Sequence, residues 1–268
     1  MDLGNLPRAT GQLGLDPAYR PIAVLLINPN ATETMTLNCL ESLLGCVPPD
    51  TVVYGYTAPA PAPLTIECAV DGIMSASAII RDLRAKEAGN YFDAFLVACF
   101  SHHPLTDALR EEFDKPAAGI MESAIYTARI LGYTFGIVST DARAEPRHRQ
   151  SVEAYGMTRF YVGAASSGYT VAELKTAPFE DVVAAMGEAS MSLVKQRGAD
   201  CLLLGCAGMT QMKAKMEELV GPTVQVLDGA LCGVNILSGL VRMGCKTSKN
   251  SLFRSSMDAR LQRNQTYL

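Results

Sequence analysis

Two thiols stand at matching places in a repeated pattern. Tyr91-Phe-Asp-Ala-Phe-Leu-Val-Ala-Cys-Phe100 aligns with Ala199-Asp-Cys-Leu-Leu-Leu-Gly-Cys-Ala-Gly-Met209, so that Asp93, Leu96 and Cys99 fall on Asp200, Leu203 and Cys206 at one constant offset. Each copy is a short apolar run behind an acidic residue, the pattern of a buried parallel strand, and each ends on a cysteine. A thiol at the carboxyl end of such a strand stands where α/β sheets hold their chemistry. As a thiolate it is a base or a nucleophile, and a neighbouring imidazolium favours that form. His102 and His103 follow Cys99 within a turn. They either hold Cys99 as a thiolate, or His102 merely caps or packs at a helix start. Around Cys206, the small residues Gly205, Ala207 and Gly208 let a ligand approach the backbone closely. That crowding favours function over packing for Cys206. Phe100 and Ser101 beside the first thiol, and Ala207 and Gly208 beside the second, are candidate substrate contacts.

The elements that must position these thiols repeat as well. Thr106-Asp-Ala-Leu-Arg-Glu-Glu-Phe and Thr210-Gln-Met-Lys-Ala-Lys-Met-Glu-Glu-Leu both look helical and stop before Pro116 and Pro222. Six residues beyond each proline stands an acid, Glu122 and Asp228, with Ala124 and Ala230 close behind. These acids join His102 and His103 as groups able to tune the thiols. The unit is strand, Cys, helix, Pro, strand, acid, twice over. Pro21–Ile27 is a further buried strand running into Asn28-Pro-Asn-Ala-Thr32 at a helix start. That place suits a carboxylate, imide or phosphate, unless Asn30 or Thr32 only caps the helix. Tyr133–Ser139 is its counterpart, which makes Ser139 and Thr140 the second-half partners of Asn28.

The remaining segments read as scaffold. Strands are predicted at Thr51–Tyr56, Ala117–Met121, Phe160–Val162 and Val224–Leu227. Helices are predicted at Ile66–Ala88, Glu122–Leu131, Pro178–Arg197 and Gly229–Met243. Asp141–Tyr155, with Arg143, Arg147, His148 and Arg149, reads as a solvated helix face, and Lys246–Leu268 as a solvated basic tail. Residues 1–20 read as a loosely packed arm. Cys68, Cys201, Cys232 and Cys245 read as structural.

The chain has 268 residues, 49% hydrophobic and 19% charged, enough for a large packed core. A net charge of −4 gives no electrostatic footprint for nucleic acid. The eight cysteines lack disulfide-framework spacing, and no basic-plus-apolar leader is apparent, so reduced thiols in a cytoplasmic protein are expected. No apolar run is long enough to span a bilayer. Cys99-x-x-His102 has no second ligand cluster, so no metal site is expected. The partner expected is a small-molecule substrate, neither nucleic acid nor membrane, and the assembly a homo-oligomer.

With these motifs laid out, the chain resembles the aspartate/glutamate racemase superfamily, in its hydantoin and allantoin racemase branch. The likeness rests on Ile27-Asn-Pro-Asn30 with Thr34-Met-Thr36, Val97-Ala-Cys-Phe100, Phe135-Gly-Ile-Val-Ser139, Leu204-Gly-Cys-Ala-Gly-Met209, and Leu227-Asp-Gly229 with Lys246-Thr-Ser-Lys249. It implies an α/β fold of two pseudo-symmetric, flavodoxin-like halves with parallel sheets around a central cleft. Taking the two prolines as crossing points, the first half is 21–115 plus 222–268 and the second 116–221. It also implies one catalytic cysteine per half, Cys99 and Cys206, facing each other across the cleft and working without a cofactor. Ser101-His102-His103 departs from the acidic residues common in that branch.

Inverting a carbon next to a carbonyl needs proton removal on one face and return on the other, a task for two opposed groups of matched basicity. The resulting enolate would be held by backbone N–H groups after the two cysteines and by Asn28. The reaction implied is racemisation or epimerisation of a 5-substituted hydantoin or related amino-acid derivative. The alternatives are another cofactor-free isomerase, lyase or decarboxylase on the same scaffold, including a metabolite-tailoring enzyme, and a non-catalytic small-molecule sensor.

Overall fold

The computed structural model describes residues 7–10, 20–171, 173–265 and 267–268, with backbone only at 9, 10, 175, 207, 208 and 210. In chain order the elements are β1 (Arg8–Thr10), β2 (Ile22–Asn28), α1 (Glu33–Ser42), β3 (Thr51–Thr57), α2 (Ala69–Ala85), β4 (Ala94–Val97), α3 (Pro104–Glu112), β5 (Ala117–Gly119) and α4 (Ile120–Leu131). There follow β6 (Phe135–Ser139), α5 (Ala144–Ala154), β7 (Tyr161–Ser166), α6 (Glu173–Thr176), α7 (Phe179–Arg197), β8 (Cys201–Leu204), α8 (Lys213–Val220), β9 (Gln225–Leu227), α9 (Gly229–Arg242) and α10 (Met257–Gln262).

The described residues fall into two compact units. One takes the chain up to Cys99 with His103–Gly119 and Gly233–Leu268; the other takes Phe100–His102 and Ile120–Cys232. Each holds one sheet. The first has the order β1-β3-β2-β4-β5 and the second β7-β6-β8-β9. Apart from the antiparallel edge strand β1, all pairings are parallel. Leaving β1 aside, the two sheets have the same order, with the first strand of each flanked by the second and third.

Parallel strands are buried on both faces, which is why β2 is apolar from Ile22 to Ile27 and buried at all seven positions. Ala23, Leu25 and Ile27 pack with Ile79 and Leu83 of α2 and Leu105 and Leu109 of α3. In the second unit Leu202 and Leu204 of β8 pack with Val182, Met186 and Leu193 of α7 and Met216 of α8. The repeated acids now have a physical role. Asp93 Oδ2 accepts from Ala23 N at 2.8 Å, and Asp200 Oδ2 accepts from Thr134 N at 2.9 Å. Each carboxylate therefore clamps the neighbouring strand at the end opposite the thiol. The Thr134 N–H is the foremost cause holding the Asp200 carboxyl below its usual range, despite some desolvation.

Several sequence expectations are corrected here. The chain changes sheets later than at Pro116 and Pro222: Ala117–Gly119 completes the first sheet and Gln225–Leu227 the second, because each pairs with the Cys-bearing strand before it. Arg8–Thr10, expected in a loosely packed arm, pairs with β3 as an edge strand; most of that arm lies outside the described residues. The helix expected at Ile66–Ala88 is shorter, starting after Cys68, where the Asp71 carboxylate accepts from Cys68 N at 3.1 Å. The strand expected at Phe160–Val162 is Tyr161–Ser166.

Two segments expected in solvent are docked. Lys249 of the tail points its ammonium at the end of α3, donating to Phe113 O at 2.6 Å, Glu111 O at 3.1 Å and Arg110 O. A cation there satisfies orphan carbonyls and the negative end of the helix dipole. Arg260 of α10 is 8% exposed and pairs with Glu112 at 2.5 Å. The second segment is α5, which buries His148, Ser151 and Val152 at i, i+3 and i+4. Burial, with Arg147 nearby, pushes the His148 imidazole down to about 4 from an ordinary 6.5.

Two outcomes follow. Lys249→Met is expected to lower stability by about 1–2 kcal/mol, read as a lower urea midpoint at unchanged m-value. An unchanged midpoint would show that the tail contributes nothing. His148 binds a proton more readily unfolded than folded, so stability is full above the ordinary value of 6.5 and falls as pH drops toward 4. The loss is of order 3 kcal/mol for this ring. His148→Phe is expected to flatten that part of the profile in pH-dependent urea melts.

Candidate active site

Each sheet reverses its strand order at one place, between β2 and β4 in the first unit and between β6 and β8 in the second. Crevices at the carboxyl ends of such strand pairs are where open α/β sheets bind ligands. In the first unit Ile27 pairs with Val97, and Ala98 N donates to Ile27 O at 2.8 Å. Cys99 follows one residue beyond that last rung. The thiol is partly buried and packs against the apolar cluster of Ile27, Val97 and Leu105.

The Asn28 side chain is 2% exposed and committed to its own loop. Its amide nitrogen lies within donating distance of Asn30 Oδ1 at 3.0 Å, Thr32 O at 3.0 Å and Thr36 Oγ1 at 3.2 Å, while Oδ1 accepts from Asn30 N at 3.2 Å. Two N–H bonds facing three acceptors leave no donor for a ligand. Asn30 Oδ1 in turn accepts from Thr32 N at 3.0 Å, and Thr36 Oγ1 lies 2.6 Å from Thr57 Oγ1. Asn28 thus shapes the rim rather than donating to an enolate. Thr32 sits at the N-cap of α1 without a side-chain cap bond.

α3 begins only at Pro104, so its N-terminus is separated from Cys99 by Phe100–His103. The cap residue is His103, 2% exposed, whose Nδ1 accepts from Leu105 N at 3.2 Å. An accepting ring nitrogen carries no proton, so the neutral imidazole makes this cap.

Phe100, Ser101 and His102 belong with the second unit. His102 N donates to Ser151 Oγ at 3.0 Å, and Tyr155 Oη–H donates to Ser101 O at 3.3 Å. The exposed His102 ring meets Tyr155 edge-on at 5.1 Å, and the Phe100 ring meets His148 edge-on at 5.7 Å.

The second switch point repeats the first. Val138 pairs with Leu204, Gly205 N donates to Val138 O at 2.9 Å, and Cys206 follows one residue beyond. Gly205 is required by close approach: a Cβ there would stand 2.6 Å from Val138 O and 3.3 Å from His148 Nε2. Cys206 is 9% exposed among Leu204, Met209 and Met212. Its carbonyl accepts from Met209 N at 3.0 Å, closing a 3₁₀ turn over Ala207–Met212 before α8. Ala207 and Gly208 lie in that turn; the Ala207 side chain lies outside the described residues.

Ser139 is fully buried, with Oγ 3.4 Å from Asp141 O. Thr140 O accepts from Ser166 Oγ at 2.7 Å, Ser167 Oγ at 3.1 Å and Gly168 N at 3.1 Å. Of the two acids, Glu122 is 9% exposed in the first turn of α4, while Asp228 caps α9 by accepting from Leu231 N at 2.8 Å.

Among the other thiols, burial first, then Asp200, pushes Cys201 up, and its Sγ lies 3.8 Å from Ala128 O. Burial likewise pushes Cys232 up. Both fit the structural role expected of them. No group of three or more His, Cys, Asp or Glu in a metal-binding arrangement occurs among the described residues. His148, expected on a solvated helix face, is instead buried beside Gly205. The signal was the stripe His148, Ser151, Val152, Tyr155 at helical spacing, hidden by Arg147 and Arg149 on either side.

Comparison with known proteins agrees with this architecture. The Asp/Glu/Hydantoin racemase family model matches residues 24–237. An uncharacterized protein of Schizosaccharomyces pombe is 38% identical over 235 residues, covering 87% of this chain and 98% of its own length. A hydantoin racemase of Pseudomonas sp. (strain NS671) is 30% identical over 231 residues, covering 86% of this chain and 90% of its own. Among solved structures, the allantoin racemase from Pseudomonas fluorescens superposes with a TM-score of 0.79 at 26% identity, over 87% of this chain and 97% of that one. With two α/β units of one strand order and a family match across both, the chain belongs to the Asp/Glu/hydantoin racemase family.

Proposed function

We propose that this protein is a cofactor-independent racemase or epimerase acting on a carbon next to a carbonyl, with 5-substituted hydantoins or related amino-acid derivatives as its substrate class. The observation that supports it best is the pair of strand-end cysteines, each one residue beyond the last rung at its own switch point. In this reading, the thiolate of Cys99 takes the C–H proton from one face, leaving an enolate, and the Cys206 S–H delivers a proton to the other face. The enzyme is left with a Cys99 thiol and a Cys206 thiolate, ready for the opposite enantiomer. The imide of a hydantoin acidifies that C–H, which eases the first step. Developing charge on oxygen would be met by backbone N–H groups that follow the two thiols. Asn28 is not counted among the donors, since its amide is spent within the rim.

The test is incubation in deuterated water with 5-substituted hydantoins, allantoin and amino acids, following exchange and inversion at the stereocentre. Cys99→Ser and Cys206→Ser are each expected to slow inversion by at least ~10³-fold while folding normally, given what one positioned acid or base contributes. Each variant is expected to keep exchange from one enantiomer only, and the two variants to keep opposite ones. Inversion at the wild-type rate in either variant would sink the two-thiol reading.

A further inference from the structure

The buried imidazole of His148 has no part in the chemistry proposed above. It is 5% exposed, and its Nε2 is buried without a hydrogen-bond partner among the described residues. An orphaned polar atom in a native interior calls for an explanation. Its neighbours are informative. Nε2 lies 3.3 Å from where a Cβ on Gly205 would stand, and the ring meets Phe100 edge-on at 5.7 Å. Gly205 precedes Cys206 in the chain, and Phe100 follows Cys99. The ring also stands on a firm base, since Val152, one turn along α5, is fully buried.

We propose that His148 is a positioning residue of the Cys206 turn: its flat ring, packed against Gly205 and Phe100, fixes where the thiol stands, and only the neutral ring fits that place. This rests on the racemase reading only for its catalytic consequence; the placement of the turn can be tested without substrate. A cationic ring would bring a second N–H donor into a site where Nε2 has nothing to donate to. Burial is the first cause opposing the charge. Arg147 on the same helix opposes it further, while Asp141 in the loop before α5 favours it. Phe100 and Gly205 carry no charge, and the ionisable group next to Gly205 along the chain is the Cys206 thiol itself.

The full-length chain is treated with a dipyridyl disulfide, which reacts with thiols even in mild acid, releasing one pyridinethione per mixed disulfide formed. Peptide mapping gives the rate at Cys206 relative to the exposed Cys46. At pH 7, His148→Ala is expected to change that ratio by ~10-fold or more and His148→Phe, which restores a flat neutral ring, by less than ~3-fold, since displacing a reacting group by about 1 Å can cost ~100-fold. Between pH 7 and 3.5, a range that crosses the value of about 4 to which the ring is pushed, the wild-type ratio is expected to move while that of His148→Phe stays flat. The proposal is overturned if a folded His148→Ala keeps the wild-type ratio, or if His148→Phe follows the wild-type pH profile. Should His148→Ala not fold, the pH comparison of His148→Phe with wild type decides alone. A wild-type ratio behaving as expected in a protein that racemises nothing would sink the function proposed above and leave this inference standing.

Discussion

One backbone hydrogen bond in each sheet sets the position of everything else at the site. Ala98 N to Ile27 O and Gly205 N to Val138 O are the last rungs of the two central parallel pairs. Past such a rung the chain must leave the sheet, and the first residue to do so is a cysteine in both units. Parallel pairing has a side-chain period of two, so a slip of one residue would turn the thiol to the other face. The register therefore has to be held from elsewhere. Asp93 and Asp200 hold it at the opposite strand ends by taking the N–H of Ala23 and Thr134. Buried apolar side chains on both faces of β2 and β8 resist the slip along the strands between.

That arrangement explains how much of the site was legible. The offset shared by Asp93, Leu96 and Cys99 with Asp200, Leu203 and Cys206 records a clamp, a core contact and a strand end. All three are tied to one strand, so a one-dimensional pattern carries them. The counterparts Asn28 and Ser139 were legible for the same reason, lying beside Ala98 and Gly205 at the ends of the neighbouring strands. The prolines misled as crossing points because a proline marks where a helix stops. Which sheet the next strand joins is decided by pairing: Ala117–Gly119 with β4 and Gln225–Leu227 with β8.

What could not be read were contacts whose partner lies far along the chain. Lys249 looks like one more solvated charge until the end of α3, more than a hundred positions earlier, offers it three carbonyls. His148 stands between two arginines in a segment whose charge suggests solvent, yet its stripe of the helix is buried. A charge run reports the outer face of a helix and says nothing of the inner one.

The polar residues at the carboxyl ends of the two sheets share a common design. Asn28, Asn30 and Thr36 in one, and Ser139, Ser166 and Ser167 in the other, direct their side chains to atoms of the same loop or of the adjoining strand end. A loop that must end a buried strand has backbone groups that neither sheet nor helix satisfies. Short polar side chains meet that need locally, as in Asx turns. Their abundance at the strand ends is therefore a consequence of building a rigid rim, and not by itself a measure of how many groups face a ligand. Side chains that differ between the two rims, His103 as a cap in one and His148 as a buried neighbour of the turn in the other, are then where the two thiols acquire unequal surroundings from one repeated backbone.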